Sequence, residues 1–123
     1  MSSEALVEGE TPSGRATFAA WDTSGQVFYG RIDPSGRNVT ARIPAPGEGK
    51  DRKHPALAVN SRGEVLMAWT EGSGWQKGGD LAWQVFDASG QPTAEKGRLP
   101  GGIPAWGLPA TFARPEGGFT ILH

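Results

Sequence analysis

The stretch "PALAVNSRGEVLMAWTE" (Pro55–Glu71) decides the fold class of this 123-residue chain. Two apolar runs flank "NSRG" (Asn60–Gly63), whose Asn and Gly tolerate the positive φ angles of a tight turn. The second run, "EVLMAWTE" (Glu64–Glu71), is apolar on both of its alternating faces, whereas a half-buried strand alternates apolar and polar residues. We therefore expect two antiparallel strands in a sheet that is covered on both sides.

The composition extends this interpretation to the whole chain. There are 19 Gly and 10 Pro, and no long stretch is free of both, which excludes a helical bundle because these residues break helix interiors. A hydrophobic content of 37%, with five Trp and five Phe, supplies a core, and a net charge of −1 does not hold the chain open. The sequence therefore predicts an ordered, turn-rich, all-β protein.

Several function classes are excluded at the same level. The chain has no Cys, which removes disulfides, thiolate catalysis and Cys zinc sites. Its 12 basic and 13 acidic residues create no basic field for nucleic acid, and no apolar run reaches the length of a membrane span. The N-terminal "MSSEALVEGE" lacks the basic and apolar regions of a signal peptide.

An internal repeat organises the chain. "RIDPSGR" (Arg31–Arg37) recurs as "VFDASGQ" (Val85–Gln91) at an offset of 54 residues, and Gly63 recurs as Gly117 at the same offset. These matches fall on turn residues, which a repeated supersecondary unit must keep to preserve its backbone geometry. In the second copy, we expect the carboxylate of Asp87 to accept backbone hydrogen bonds within the turn.

Each repeat is predicted to form four short antiparallel strands. Since the chain offers no helices, only other small sheets of the same kind can cover a sheet that is apolar on both faces, which is the arrangement of β-propeller blades. We expect blade one over about 4–46, blade two over about 55–100 and a partial blade over 109–123. The predicted strands are Glu4–Glu8, Arg15–Asp22, Gln26–Asp33, Asn38–Ile43, Pro55–Val59, Glu64–Glu71, Leu81–Asp87, Thr93–Arg98, Ala110–Ala113 and Gly118–His123.

The pattern "HPALAVNSRGEVLMAWTEG" followed by "LAWQVFDASGQP" resembles the blade repeats of sialidase-like (BNR-type) β-propellers, over about Phe18–His123. Because a propeller closes with about four to eight blades, the resemblance implies an incomplete ring of about two and a half. Several copies of the chain would complete the ring as a homo-oligomer, or the chain would belong to a longer one. The resemblance also favours an extracellular or periplasmic location.

The departures from the family pattern bear on activity. The family's Asp-box, S/T-x-D-x-G-x-T-W/F, is replaced here by D-x-S-G turns, and Tyr29 is the single tyrosine, so no sialidase catalytic residue is carried over. We therefore expect a non-catalytic binding or scaffold module. The alternative is a part of a sialidase-like glycoside hydrolase whose catalytic residues lie outside this segment.

The insertion "TEGSGWQKGGD" (Thr70–Asp80) is the first candidate for a ligand site. An exposed Trp75 would stack on a sugar ring, and the polar side chains around it would bind the sugar hydroxyls. The alternative is that Trp75 folds over a blade edge or an interface. The polar candidates of this carbohydrate site are Glu71, Gln76, Lys77 and Asp80.

Two connections between blades add further candidates. Trp106 lies in "GGIPAWGLPA" (Gly101–Ala110), and Arg52 and His54 lie in the charged segment "GEGKDRKHPA" (Gly47–Ala56), which would bind an anionic group or form a solvated loop. The two histidines are not at the spacing of metal ligands, and no nucleotide-binding motif occurs, so no metal, cofactor or catalytic residue is predicted. Three strand tryptophans, Trp21, Trp69 and Trp83, are predicted to lie in the core.

Overall fold

A computed structural model describes residues 4–33, 39, 42–73 and 77–123. These residues form ten β-strands and no helix, which confirms the all-β prediction. In chain order the strands are β1 (Glu4–Thr11), β2 (Gly14–Thr23), β3 (Gln26–Arg31), β4 (Ile43–Pro44), β5 (Arg52–Val59), β6 (Val65–Glu71), β7 (Gly79–Phe86), β8 (Pro92–Ile103), β9 (Ala110–Ala113) and β10 (Phe119–Leu122).

The strands form two antiparallel four-stranded sheets and one hairpin. The first sheet has the order β1-β2-β3-β4, the second has the order β5-β6-β7-β8, and β9 pairs with β10. The predicted four-stranded antiparallel units are therefore confirmed, and none of the described sheets closes on itself. In each sheet, strands that are consecutive in the chain lie next to each other.

The predicted and the observed extents differ most in two strands, β4 and β8. The fourth strand of the first sheet covers only Ile43–Pro44, and of the residues predicted before Ile43 the structure describes Val39, in a bridge to Ile32, and Arg42. The strand predicted over Thr93–Arg98 extends over Pro92–Ile103, and its pairing with β7 continues past Gly97 to Ile103.

Three tight turns share one hydrogen-bond pattern. In each, the first residue donates its N–H to the carbonyl of the residue four positions later, and a glycine at the fourth position donates back. Each glycine has a positive φ angle, which a residue without a side chain adopts at little cost. The predicted role of Asp87 is confirmed, since its Oδ1 accepts the N–H groups of Ser89 and Gln91 at 2.9 and 3.0 Å. The first residues and glycines are Asn60 and Gly63 (φ 81°), Asp87 and Gly90 (φ 86°), and Arg114 and Gly117 (φ 102°).

Strand β6 is buried along its whole length, as its apolar pattern predicted. On one face, Met67 and Trp69 pack in a core with Phe18 of the first sheet. On the other face, Ala68 belongs to a smaller cluster against which Ile121 of the hairpin packs. The second sheet is therefore covered on both sides by other sheets, and sheet-on-sheet packing holds the fold together.

The three strand tryptophans do not share one environment. Trp69 is a core residue with 2% of its surface exposed, as predicted. Trp21 and Trp83 are only half-buried. Trp21 stacks on Phe28 on the outer face of the first sheet, with 5.9 Å between ring centroids. The prediction of a core position is thus met in full by Trp69 alone.

Candidate functional site

A cleft of about 430 Å³ lies at one side of the second sheet. One wall is the connection from β4 to β5, around Pro46–Gly49, and the opposite wall is Lys96–Arg98 of the outer strand β8. The floor includes Trp69, Glu71 and Gln84. These floor residues share a face because alternate residues of a strand point the same way and β6 pairs with β7 in antiparallel register.

The floor of the cleft is built on a buried ion pair. Arg52 begins β5 opposite Glu71 at the end of β6, and their side chains are 3% and 4% exposed. The Arg52 Nε donates to Glu71 Oε2 at 2.9 Å, and the Trp69 indole N–H donates to the same oxygen at 2.9 Å. Arg52 also donates to the carbonyls of Ala45 and Pro46 at 2.9 and 2.7 Å. Arg52 therefore ties the connection to the sheet and does not project into a solvated loop.

A second arginine extends this network to the rim. Arg98 of β8 bonds to Glu71 through one terminal nitrogen and to Asp80 Oδ2, at 2.6 Å, through the other. The Asp80 Oδ1 accepts the backbone N–H of Gly101 at 2.8 Å. This hydrogen bond and the pairing with Arg98 lower the pKa of Asp80, and the hydrogen bond to Asp80 is the largest cause of the raised pKa of Arg98. Both groups are therefore charged at neutral pH.

The site pairs two carboxylates with one arginine. Glu71 and Asp80 lie opposite each other on neighbouring strands, and Arg98 bonds to both. A general acid would have to hold a proton near neutral pH, which the lowered pKa of Asp80 opposes. The side chain of Arg98 is half exposed, so the network can orient a polar ligand through it.

Sequence reasoning placed Glu71, Asp80 and Arg52 on the candidate list but missed Arg98. The sequence predicts a strand that ends at Arg98, and the position of this residue opposite Ala82 follows from the long pairing of β7 with β8. The available signal was an acid, Asp80, at the start of one strand and a base, Arg98, on the strand that follows it in the chain.

The insertion loop and the connection that follows β8 lie side by side. A Cβ atom on Gly78 would meet the backbone of Pro104 and Ala105 at 3.1 Å. Trp106, in the turn closed by the hydrogen bond from Gly107 N–H to the Pro104 carbonyl, is 69% exposed. Lys77 is also exposed. The structure thus brings Lys77 and Trp106 to the same end of the second sheet, while Trp75 and Gln76 lie outside the described residues.

His54 is placed apart from the cleft. It sits at the irregularity between Lys53 and Ala56 in β5, where its φ angle is 54°. Its backbone N–H donates to Asp22 Oδ2 of the first sheet at 3.3 Å. The charged segment that was predicted as one cluster is therefore divided between the cleft, where Arg52 lies, and the contact with the first sheet.

The described part of the chain lacks two kinds of feature. It contains no group of three or more His, Asp or Glu side chains that could hold a metal ion. It also contains no helix long and apolar enough to cross a membrane.

Comparison of the chain with protein-family models, curated proteins and solved structures returned no match. The geometry of the site and the packing of the sheets therefore carry the functional argument.

Proposed function

We propose that the chain is a non-catalytic binding or scaffold module made of β-propeller-type blades, similar to the sialidase-like repeats. The observation that supports this is the direction in which the sheets pack. Phe18 and Ala20 of β2 face the second sheet, and Leu66 and Ala68, at the same repeat positions of β6, face the hairpin. Each sheet therefore presents the same forward face to the rearward face of the next.

Packing of this kind does not end by itself after a fixed number of sheets. A contact in which one face meets a different face of the next unit repeats until it closes into a ring or meets a different surface. The forward face of the hairpin carries Phe112 and Leu122, which are 52% and 55% exposed. Further sheets of the same kind, from other copies or from a longer chain, would cover this face and complete the module.

The favoured ligand class is carbohydrate, bound at the end of the second sheet where the insertion loop and the connection after β8 meet. An exposed indole such as Trp106 offers an apolar surface that fits the CH face of a sugar ring. Arg98, Asp80 and Lys77 at the same end offer donors and acceptors for hydroxyl groups. Because the two carboxylates of this end are paired with arginine, we propose binding and not hydrolysis.

A glycan array tests the ligand class. We expect Trp106→Ala to lose binding to every glycan that the unmodified chain retains, by about tenfold or more, since one aromatic contact contributes about 1–3 kcal/mol. Leu108→Ala is the matched control, because Leu108 is an exposed apolar residue in the same connection (61%). Equal binding by the unmodified chain and Trp106→Ala would contradict the carbohydrate site.

A further inference from the structure

The hairpin has an open edge. Within the described part of the chain, β10 pairs with β9 alone, so its second edge has no strand beside it. Next to that edge lies a groove of about 520 Å³. Its apolar lining comes from Leu66, Trp83 and Val85 of the second sheet and from Phe119 and Ile121 of β10.

The open edge of β10 corresponds to the edge of β6 that pairs with β7 in the second sheet. In β5–β6, Leu57 pairs with Met67; in β9–β10, Thr111 pairs with Ile121, each residue lying 54 positions further on. The hairpin is thus in register with the first two strands of a four-stranded sheet. In the second sheet the edge of β6 pairs with β7. The matching neighbour of β10 is therefore a third strand.

The groove also corresponds to a surface that a third strand covers elsewhere. Phe86 of β7 packs on Tyr29 of the first sheet with 4.8 Å between ring centroids, and the two residues are 1% and 2% exposed. Trp83 holds the position of Tyr29 in the second sheet, 54 residues later, yet it is only half-buried. A Cβ atom on Gly97 would collide with the Trp83 indole, so the ring rests on β8 and lines the groove.

Backbone groups of β10 are available at the open edge. The Arg114 N–H donates to the Gly118 carbonyl, so residue 118 is directed toward β9. Since hydrogen-bonding directions alternate along an antiparallel strand, the N–H and C=O groups of Phe119 and Ile121 are directed away from β9. They present two donors and two acceptors to an incoming strand.

We propose that this edge and groove bind an extended polypeptide strand, antiparallel to β10, with an aromatic side chain seated against Trp83. The inference rests on the proposed function, in which like sheets pack in a repeated way, and it names an extended strand as the partner of the hairpin. Strand addition supplies affinity through main-chain hydrogen bonds and specificity through the groove that takes alternate side chains. The fitting pattern is that of β7, in which Gln84 and Phe86 would face Ile121 and Phe119.

The test uses the full chain and a labelled synthetic peptide with the sequence of Leu81–Asp87, "LAWQVFD". We expect saturable binding by fluorescence anisotropy, and at least tenfold weaker binding when the Phe86 position of the peptide is changed to Ala. Because these changes are made in the peptide, the fold of the protein is not at risk. No saturable binding, or equal binding by a scrambled peptide, would overturn the proposal.

A backbone control separates strand addition from simple apolar contact. N-methylation of the peptide at the Gln84 and Phe86 positions should abolish binding, whereas N-methylation at Trp83 and Val85 should leave it within about twofold, because only the first pair faces β10. Equal effects would overturn edge pairing. The glycan array does not involve this edge, so a failure of the peptide test and a failure of the carbohydrate site are distinguishable.

Discussion

At the scale of single residues, Glu71 organises the end of the second sheet where the candidate site lies. Its two oxygens bond to Arg52, Trp69 and Arg98, and its side chain is 4% exposed. A buried charge destabilises the fold unless it has a partner of opposite charge. Removing one member of a buried ion pair therefore leaves the desolvation cost of the other charge uncompensated.

We expect Glu71→Gln to lower the free energy of unfolding by about 3–5 kcal/mol, because it leaves the buried Arg52 guanidinium uncompensated. Urea unfolding followed by tryptophan fluorescence measures this. Glu95→Gln, an exposed carboxylate on β8, is the control and should change the free energy by less than about 0.5 kcal/mol. A value for Glu71→Gln as small as that of the control would contradict the structural role of the pair.

Asp87 makes stability depend on pH. The hydrogen bond from the Ser89 hydroxyl and then those from the turn backbone lower the pKa of Asp87 below its usual 3.8. A carboxylate whose pKa is lowered by folding stabilises the protein above its unfolded pKa, and this contribution disappears as the pH falls through the folded pKa.

We therefore expect Asp87→Asn to lower the urea midpoint at neutral pH and to differ less from the unmodified chain once the pH falls below about 4. Asn keeps the oxygen that accepts the turn hydrogen bonds, so the difference reports the charge. A midpoint difference that stays constant down to about pH 2 would show that the charge of Asp87 contributes nothing.

At the scale of elements, the contact between two turns holds the hairpin in place. Asn60, at the end of β5, is 3% exposed, and its Nδ2 donates to the Gly117 carbonyl at 2.9 Å. Its Oδ1 accepts the N–H groups of Arg62 and Glu64, both at 3.0 Å. One side chain thus shapes its own turn and anchors the β9–β10 turn.

We expect Asn60→Asp to keep the two hydrogen bonds that Oδ1 accepts and to lose those that Nδ2 donates to Glu64 and to the Gly117 carbonyl. Hydrogen–deuterium exchange in Ala110–Leu122 should become about tenfold faster, since losing a buried hydrogen bond costs about 1–3 kcal/mol. Exchange in the first sheet should not change. Ser61→Ala, an exposed position of the same turn, should leave both regions unaltered, and an Asn60→Asp variant that behaves in the same way would contradict the anchoring role.

The positions of the strands could be predicted from the sequence because they depend on local signals. The turn glycines Gly63, Gly90 and Gly117 and the apolar runs between them mark β5, β6, β7 and β9 to within a few residues. The length of β8 could not be predicted, because its buried and exposed residues do not alternate regularly and its pairing with β7 is interrupted twice.

The candidate site could be predicted only in part, because its contacts form between residues that are distant in the sequence. The sequence places Arg52 in a charged segment that would bind an anionic group or form a solvated loop, whereas the burial of Arg52 depends on Glu71, 19 residues away. Arg98 meets Glu71 and Asp80 only through strand register. A pair formed across a sheet leaves no local signature, whereas a turn does.

At the scale of the whole molecule, the two ends of the stack differ. The outer face of the first sheet carries Leu6, which is 72% exposed, but Arg15 forms ion pairs there with Glu8 and Glu10. The forward face of the hairpin exposes the apolar side chains of Phe112 and Leu122, and we expect it to make the contacts with further sheets.

Light scattering of the chain in solution tests the continued stacking of like sheets most directly. We expect a mass above that of the 13.0 kDa monomer, and we expect Phe112→Glu to reduce it toward the monomer, because the change places a charge on the forward face. Phe112 is 52% exposed within the chain, so the change should not disturb the fold. An unmodified chain that remains a monodisperse monomer at high concentration would contradict the claim that other copies of this chain cover the forward face.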